Sequence, residues 1–162
     1  MMPITLNING KAQTFQLPEE MPLITLLRNE HNCMSVKLGC AQEECGACKI
    51  LINGHPRFSC TLTIAALADE FGSAIPMITT LENAANDPLL QQLQTAFIEH
   101  NALQCGYCIS GILNSALSLL SQPQAPNRNK IKAGLKDHLC RCGAHNRIIK
   151  AIESVARTLP DC

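Results

Sequence analysis

Apolar and polar positions alternate at the start of the chain. Ile4, Leu6 and Ile8 are separated by Thr5 and Asn7, the period of a strand with one buried face. Asn9-Gly10 follows, a pair that favours the tight turn of a hairpin. Phe15 and Leu17 resume the alternation on a returning strand. Pro22 suits a helix start; Leu23, Leu26, Leu27 and Glu30 then come at helical spacing, with the leucines on an inward face. The apolar run Ile50 to Ile52 meets a second turn pair at Asn53-Gly54, and Met77 to Thr80 reads as one more short strand.

Further on, the period lengthens. Leu89, Leu93, Ala96, Phe97 and His100 share one helical face, as do Ile109, Ile112, Leu113, Ala116, Leu117 and Leu120. Ile131, Leu135 and Leu139 repeat at four, and Ile148, Ile152, Val155, Ala156 and Leu159 complete the set. This pattern predicts four amphipathic helices, the second and third separated by the Pro-containing loop at 122–127. The polar stretch at 81–87, followed by Pro88, marks a boundary. The prediction is an α+β protein with a β-rich domain over 1–82 and a helical domain over 83–162. Domains of this size have only marginal cores, and a metal staple in each would add rigidity.

Composition narrows the chemistry. Thirteen basic and thirteen acidic residues give no net charge, and with no long basic run this argues against nucleic acid as a partner. No apolar stretch is long enough for a transmembrane helix. The first residues lack a basic segment followed by an apolar one, so no secretory leader is expected and a cytoplasmic location is. The chain has four Phe, one Tyr and no Trp, but ten Cys among 162 residues. That is below the roughly 8–10% that marks a disulfide scaffold, and without export, clustered Cys point to metal.

Eight of the ten Cys fall into two quartets. The first is Cys40, Cys45, Cys48 and Cys60, opening with the C-x4-C-x2-C spacing of plant-type [2Fe–2S] ferredoxins. Such a cluster needs two thiolates on each of two irons. Three come from one loop, and the fourth ties that loop to the fold. Gly39 and Gly46 suit a loop in which backbone N–H groups approach sulfur. The second quartet is Cys105, Cys108, Cys140 and Cys142, two pairs flanking predicted helices. Four thiolates also suit structural zinc, and a C-x2-C pair alone does not choose between zinc, iron–sulfur and redox roles.

Other residues carry less. Cys33 and Cys162 fit neither quartet and read as free thiols. His138 and His145 flank the Cys140–Cys142 segment and in principle replace a thiolate, but with eight placed Cys the ordinary hydrogen-bonding role is preferred. Glu43 and Glu44 read as a solvated face of the first loop; turned inward they would disfavour reduction. Arg141, between two candidate ligands, fits either charge compensation or plain surface. No G-x-S-x-G, Walker A or G-x-G-x-x-G motif is present, so no catalytic residue is expected. What remains is one-electron transfer.

The motifs resemble those of a family. Lys37-Leu-Gly-Cys40 through Cys45-Gly-Ala-Cys48, with Ser59-Cys60, is similar to the first cluster loop of the small iron–sulfur subunits of molybdenum hydroxylases, the xanthine dehydrogenase family. Ile78-Thr-Thr-Leu-Glu82, Leu103-Gln-Cys-Gly-Tyr-Cys108 with Gly111, and Leu139-Cys-Arg-Cys-Gly143 with Arg147-Ile148 resemble its later motifs in order. The resemblance spans nearly the whole chain and weighs against zinc in both quartets. It implies a β-grasp, ferredoxin-like N-terminal domain and a four-helix-bundle C-terminal domain. It implies two [2Fe–2S] clusters, with the bundle cluster next to a molybdopterin held mainly by a large catalytic subunit. Gln104 and the Cys142 sulfur are then within reach of the pterin, and electrons leave through the second quartet and then the first. The Cys-Gly-Ala-His-Asn-Arg stretch from Cys142 resembles the nicotinate dehydrogenase, isoquinoline oxidoreductase and aldehyde oxidoreductase branch, which implies a cytochrome c acceptor in preference to a flavin subunit. The family's loop carries glycines where this chain has Ala41-Gln-Glu-Glu44, and many relatives carry Thr-Pro after the second C-x2-C where this chain has Ile109-Ser110. A freestanding two-cluster ferredoxin and a zinc-stapled interaction module are the alternatives. Mobile carriers often bear a strong net charge that steers encounter, and this chain's neutrality favours a permanent partner.

Overall fold

The computed structural model describes residues 1–159. Strands β1 (Met2–Ile8), β2 (Lys11–Leu17), β3 (Lys49–Ile52), β4 (His55–Phe58) and β5 (Met77–Thr79) form one mixed sheet in the order β2-β1-β5-β3-β4. β1 runs parallel to β5, and the other neighbours are antiparallel. The alternation that predicts β1 is realised in full: Ile4, Leu6 and Ile8 are buried. β2 is buried only at Phe15 and Leu17, because it lies on a sheet edge. Pro22 precedes the short helix α1 (Leu23–Thr25), which continues as a wider π-type turn over Leu26–Glu30. Its Leu23, Leu26 and Leu27 are fully buried against the sheet.

Two elements escape the sequence pattern. β4 is a solvent-side edge strand containing Pro56, where a missing N–H is tolerated. Helix α2 (Ile64–Phe71) is short but well signed: the Thr63 side chain caps it by accepting the Ala66 N–H, and Gly72 ends it with φ +54°. It buries Ile64 and Leu67 in the sheet core.

Helices α3 (Pro88–Glu99), α4 (Ile109–Leu120), α5 (Arg128–Gly134) and α6 (His145–Ala156) pack around a second core that includes Leu90, Phe97, Leu113, Ile131 and Ile152. Asp87 caps α3 with Pro88 at its first position, and Asn127 caps α5. The polar boundary segment is itself ordered as 3₁₀ turns over Leu81–Asn86. The third predicted helix is too long: α5 stops at Gly134, and Leu139 lies beyond it with 62% of its surface exposed. The repeat at four runs on past the residue that ends the helix.

The two cores meet along β3. All four of its residues are buried. Ile50 and Ile52 face the sheet core, while Leu51 belongs to the helical one. α4 lies on this strand, buried almost all round despite Ser110, Asn114, Ser115 and Ser118. Three of its polar side chains donate to the neighbouring backbone: Ser110 to the Ala47 carbonyl at 3.4 Å, Asn114 to Lys49 at 2.9 Å and Ser118 to Gly54 at 2.7 Å. Residues 110, 114 and 118 are one turn apart, so they form a single row on the helix. Gly111 permits the approach, since a Cβ there would stand 1.9 Å from the Gly46 carbonyl oxygen.

Candidate metal centres

The first quartet is built on the loop before β3. Cys40 and Cys45 are half-buried, while Ala41 to Glu44 between them are exposed. The Cys40 sulfur accepts the N–H groups of Gln42, Glu44 and Cys45, each at 3.4 Å, and Cys45 sulfur accepts the Cys40 N–H at 3.3 Å. Burial by itself would raise the Cys40 thiol, but these N–H groups outweigh it and bring it down to about 7. The loop curls through positive φ at Ala41 (56°), Glu43 (60°) and Gly46 (75°). Two of these are not glycine, and the Glu43 carboxylate accepts the Thr61 hydroxyl, tying the strained loop to the segment that carries Cys60. Gly39 leaves room for sulfur: a Cβ there would sit 2.6 Å from Cys45 Sγ.

Cys48 and Cys60 are buried, with their thiols beside each other. Burial, then Cys60, pushes the Cys48 thiol up to about 11. Ser59 donates to the Cys48 carbonyl at 2.8 Å, which fixes the fourth segment against the loop.

The second quartet lies where α4 begins and in the turn between α5 and α6. It also divides into pairs. Exposed Cys105 meets Cys142; the Tyr107 N–H, then Cys142, hold the Cys105 thiol below its ordinary value. Buried Cys108 meets Cys140, and burial, then Cys140, pushes the Cys108 thiol up to about 12. Among the described residues no three His, Cys, Asp or Glu side chains converge on a single point; the eight thiols meet two by two. Two thiols at each of two neighbouring points is the donor set that a diiron cluster asks for, so the residues fit it. A high thiol pKa in each inner pair means that metal loading there displaces protons.

The two quartets are joined. The N–H of Leu139, bonded directly to Cys140, donates to the Cys45 carbonyl at 3.0 Å. Tyr107 donates its hydroxyl to the Leu38 carbonyl at 2.6 Å. Gln104 Nε2 donates to the Cys142 carbonyl at 3.2 Å, so these two residues stand together at the exposed end of the second quartet.

The remaining candidates take other positions. His138 is buried with Nε2 2.8 Å from Ser115 Oγ, and it packs on Gly46. Burial, then the nearby Lys49 ammonium, pushes it down to about 4, so it is neutral. His145 Nε2 lies 3.2 Å from the His138 carbonyl. Arg141 is exposed. Cys33 is a buried free thiol near Asn9, while Cys162 lies outside the described residues. Sequence reasoning missed Lys49, Asn114 and Asp137. Lys49 is buried, its ammonium 3.3 Å from Asp137 and 4.5 Å from the Phe58 ring centroid. A lysine within an apolar strand run was the available signal.

Comparison with known proteins agrees with this geometry. Residues 6–75 match the family described as 2Fe-2S iron-sulfur cluster binding domain, and residues 80–153 match the one described as [2Fe-2S] binding domain. The chain is 38% identical to the nicotinate dehydrogenase small FeS subunit of Eubacterium barkeri, over 92% of this chain and 91% of that one. It superposes on a chain of quinoline 2-oxidoreductase from Pseudomonas putida 86 with a TM-score of 0.82 and 38% identity, covering 96% and 94% of the two. It also superposes on the aldehyde oxidoreductase of Desulfovibrio desulfuricans with a TM-score of 0.85 and 29% identity, covering 96% of this chain but 17% of that longer one.

Proposed function

Because the chain belongs to the family of [2Fe–2S] iron–sulfur small subunits of molybdenum hydroxylases, the xanthine dehydrogenase family, we propose that its eight paired thiols hold two clusters and form the electron exit from a large catalytic subunit. Electron transfer within an oxidoreductase complex is the role of this family's small subunits, and no catalytic residue of the hydroxylation is assigned to this chain. Cys40 and Cys45 hold one iron of the N-terminal centre, Cys48 and Cys60 the other. Cys105 with Cys142, and Cys108 with Cys140, do the same for the C-terminal centre. A bound [2Fe–2S] cluster supplies a site that gains and loses one electron at a time.

The observation that carries this reading is the four thiol pairs, linked across the molecule by Leu139 N–H to the Cys45 carbonyl. That link gives a through-bond route from a ligand of one quartet to a ligand of the other. Gln104 and Cys142 are the residues we assign to contact the pterin of the partner. Leu103, Tyr107 and Leu139, each at least 40% exposed, surround that end. With zero net charge, they favour a permanent partner over a freely diffusing ferredoxin.

We divide the chain into a β-grasp domain over 1–82 and a four-helix bundle over 83–162. The sheet order and the four helices around one core support that division. Among the described residues no helix is long and apolar enough to cross a membrane. Thiols that must stay reduced to hold clusters suit a reducing compartment, so we assign the cytoplasm. Cytochrome c is the acceptor we favour over a flavin subunit, on the resemblance carried by the Cys-Gly-Ala-His-Asn-Arg stretch from Cys142. Metal and sulfide analysis of the anaerobically purified complex tests the reading: about four iron and four sulfide per chain are expected for two such clusters. Zinc without iron overturns it.

A further inference from the structure

Successive residues of β3 point to opposite faces. Cys48, Ile50 and Ile52 enter the sheet core, and Leu51 enters the helical one. Lys49, sharing the face of Leu51, stands between the two halves with 7% of its side chain exposed. Its ammonium lies 3.3 Å from Asp137 Oδ2 and 4.5 Å from the ring centroid of Phe58, its cross-strand partner. The Asn114 amide donates to the Lys49 carbonyl at 2.9 Å and fixes the backbone below it. Asp137 keeps 43% of its side chain in solvent. Water therefore weakens the negative member of the pair, while the positive member is sealed in.

Folding does not ask for a charge at this place. A lysine is almost never buried unless paired, and an apolar side chain of similar volume fills such a site at no desolvation cost. Lys49 follows Cys48 directly in the chain, and its own N–H donates to the Gly46 carbonyl, inside the loop of the first quartet, at 3.1 Å, whereas its ion-pair partner Asp137 is three residues before Cys140. A buried charge is little screened by salt, and net charge around a cluster helps set its potential.

We propose that Lys49 is a potential-setting residue: its buried ammonium raises the reduction potential of the Cys40/Cys45/Cys48/Cys60 centre and so makes electron flow from the C-terminal quartet to the N-terminal one favourable. The step is the passage of one electron from the reduced C-terminal centre to the oxidised N-terminal centre, with no proton or leaving group transferred. The inference rests on the cluster assignment made above.

The test is a redox titration of the full chain in complex with its large subunit, followed by EPR. The signal abolished by Cys60→Ser identifies the N-terminal centre. Lys49→Met is expected to lower the reduced-to-oxidised ratio of that centre about tenfold at fixed potential, a shift of about 59 mV for one electron. Asp137→Asn, at a half-exposed position that tolerates the change, shifts it the opposite way, and Lys49→Arg restores the wild-type value. Both variants shifting in one direction, or neither shifting while both signals persist, overturns the proposal. Should Lys49→Met fail to load, the Asp137→Asn titration decides alone: an upward shift supports the proposal and no shift overturns it. A wild-type protein with no reducible centre instead overturns the cluster assignment itself.

Discussion

The N-terminal quartet takes three thiols from the loop 40–48 and holds them with that loop's own backbone: N–H groups on Cys40 sulfur and positive φ at Ala41, Glu43 and Gly46. The C-terminal quartet has no such loop. Its pairs are brought together because α3, α4, α5 and α6 pack around one core. Local conformation shapes one centre and tertiary packing the other. Yet each ends with an outer pair whose thiol is lowered and an inner pair whose thiol is raised. The common product is one more open and one more buried thiol pair in each quartet.

Ligand removal breaks this comparison most sharply. Cys60→Ser and Cys105→Ser should each cut iron content to about half, because each cluster needs its four thiolates. Each should also stop turnover with the physiological acceptor, and visible absorbance of the purified variants checks both. The next effect comes at the junction. Gly111→Ala places a methyl 1.9 Å from the Gly46 carbonyl oxygen, and overpacking of this kind costs about 1–3 kcal/mol. Its denaturation midpoint should fall, and both centres should suffer because the strut joining them is displaced.

Relief of loop strain acts on one centre only. Ala41→Gly removes a left-handed residue with a side chain, worth about 1 kcal/mol. It should slow loss of the N-terminal centre to a chelator and leave the C-terminal one unchanged. The smallest effect is electrostatic. Burial would raise Glu82, but Ser35 N–H at 2.7 Å, Ser35 hydroxyl at 2.6 Å and Thr80 hydroxyl at 2.5 Å outweigh it and hold its carboxyl below the ordinary 4.5. A depressed carboxyl stabilises the fold above its unfolded pKa and loses that contribution as pH falls through the lowered folded value. As pH falls below 4.5, Glu82→Gln should therefore show a flatter decline in unfolding midpoint than the wild type.

Much of this is legible where the signal is local. Period-two alternation marks β1, spacing of leucines marks the turn after Pro22, and the cysteine spacing joins Cys40, Cys45, Cys48 and Cys60 to one kind of centre. The apolar face from Ile109 to Leu120 marks α4 with its observed ends. Illegibility begins where tertiary context decides. β4 carries no alternation because it is an exposed edge. The repeat through Leu139 has a helical period, but Gly134 ends the helix and Leu139 serves instead through its backbone N–H. Ser110, Asn114 and Ser118 carry no sign of their partners in the apolar helix pattern; only the strand laid against them reveals carbonyls to receive their hydrogen bonds.

Low-temperature EPR of the dithionite-reduced complex tests the central claim most directly. Two distinct [2Fe–2S] spectra of equal spin, one for each thiol quartet, are the predicted result. A single spectrum, or none from protein that is folded and loaded with metal, contradicts it.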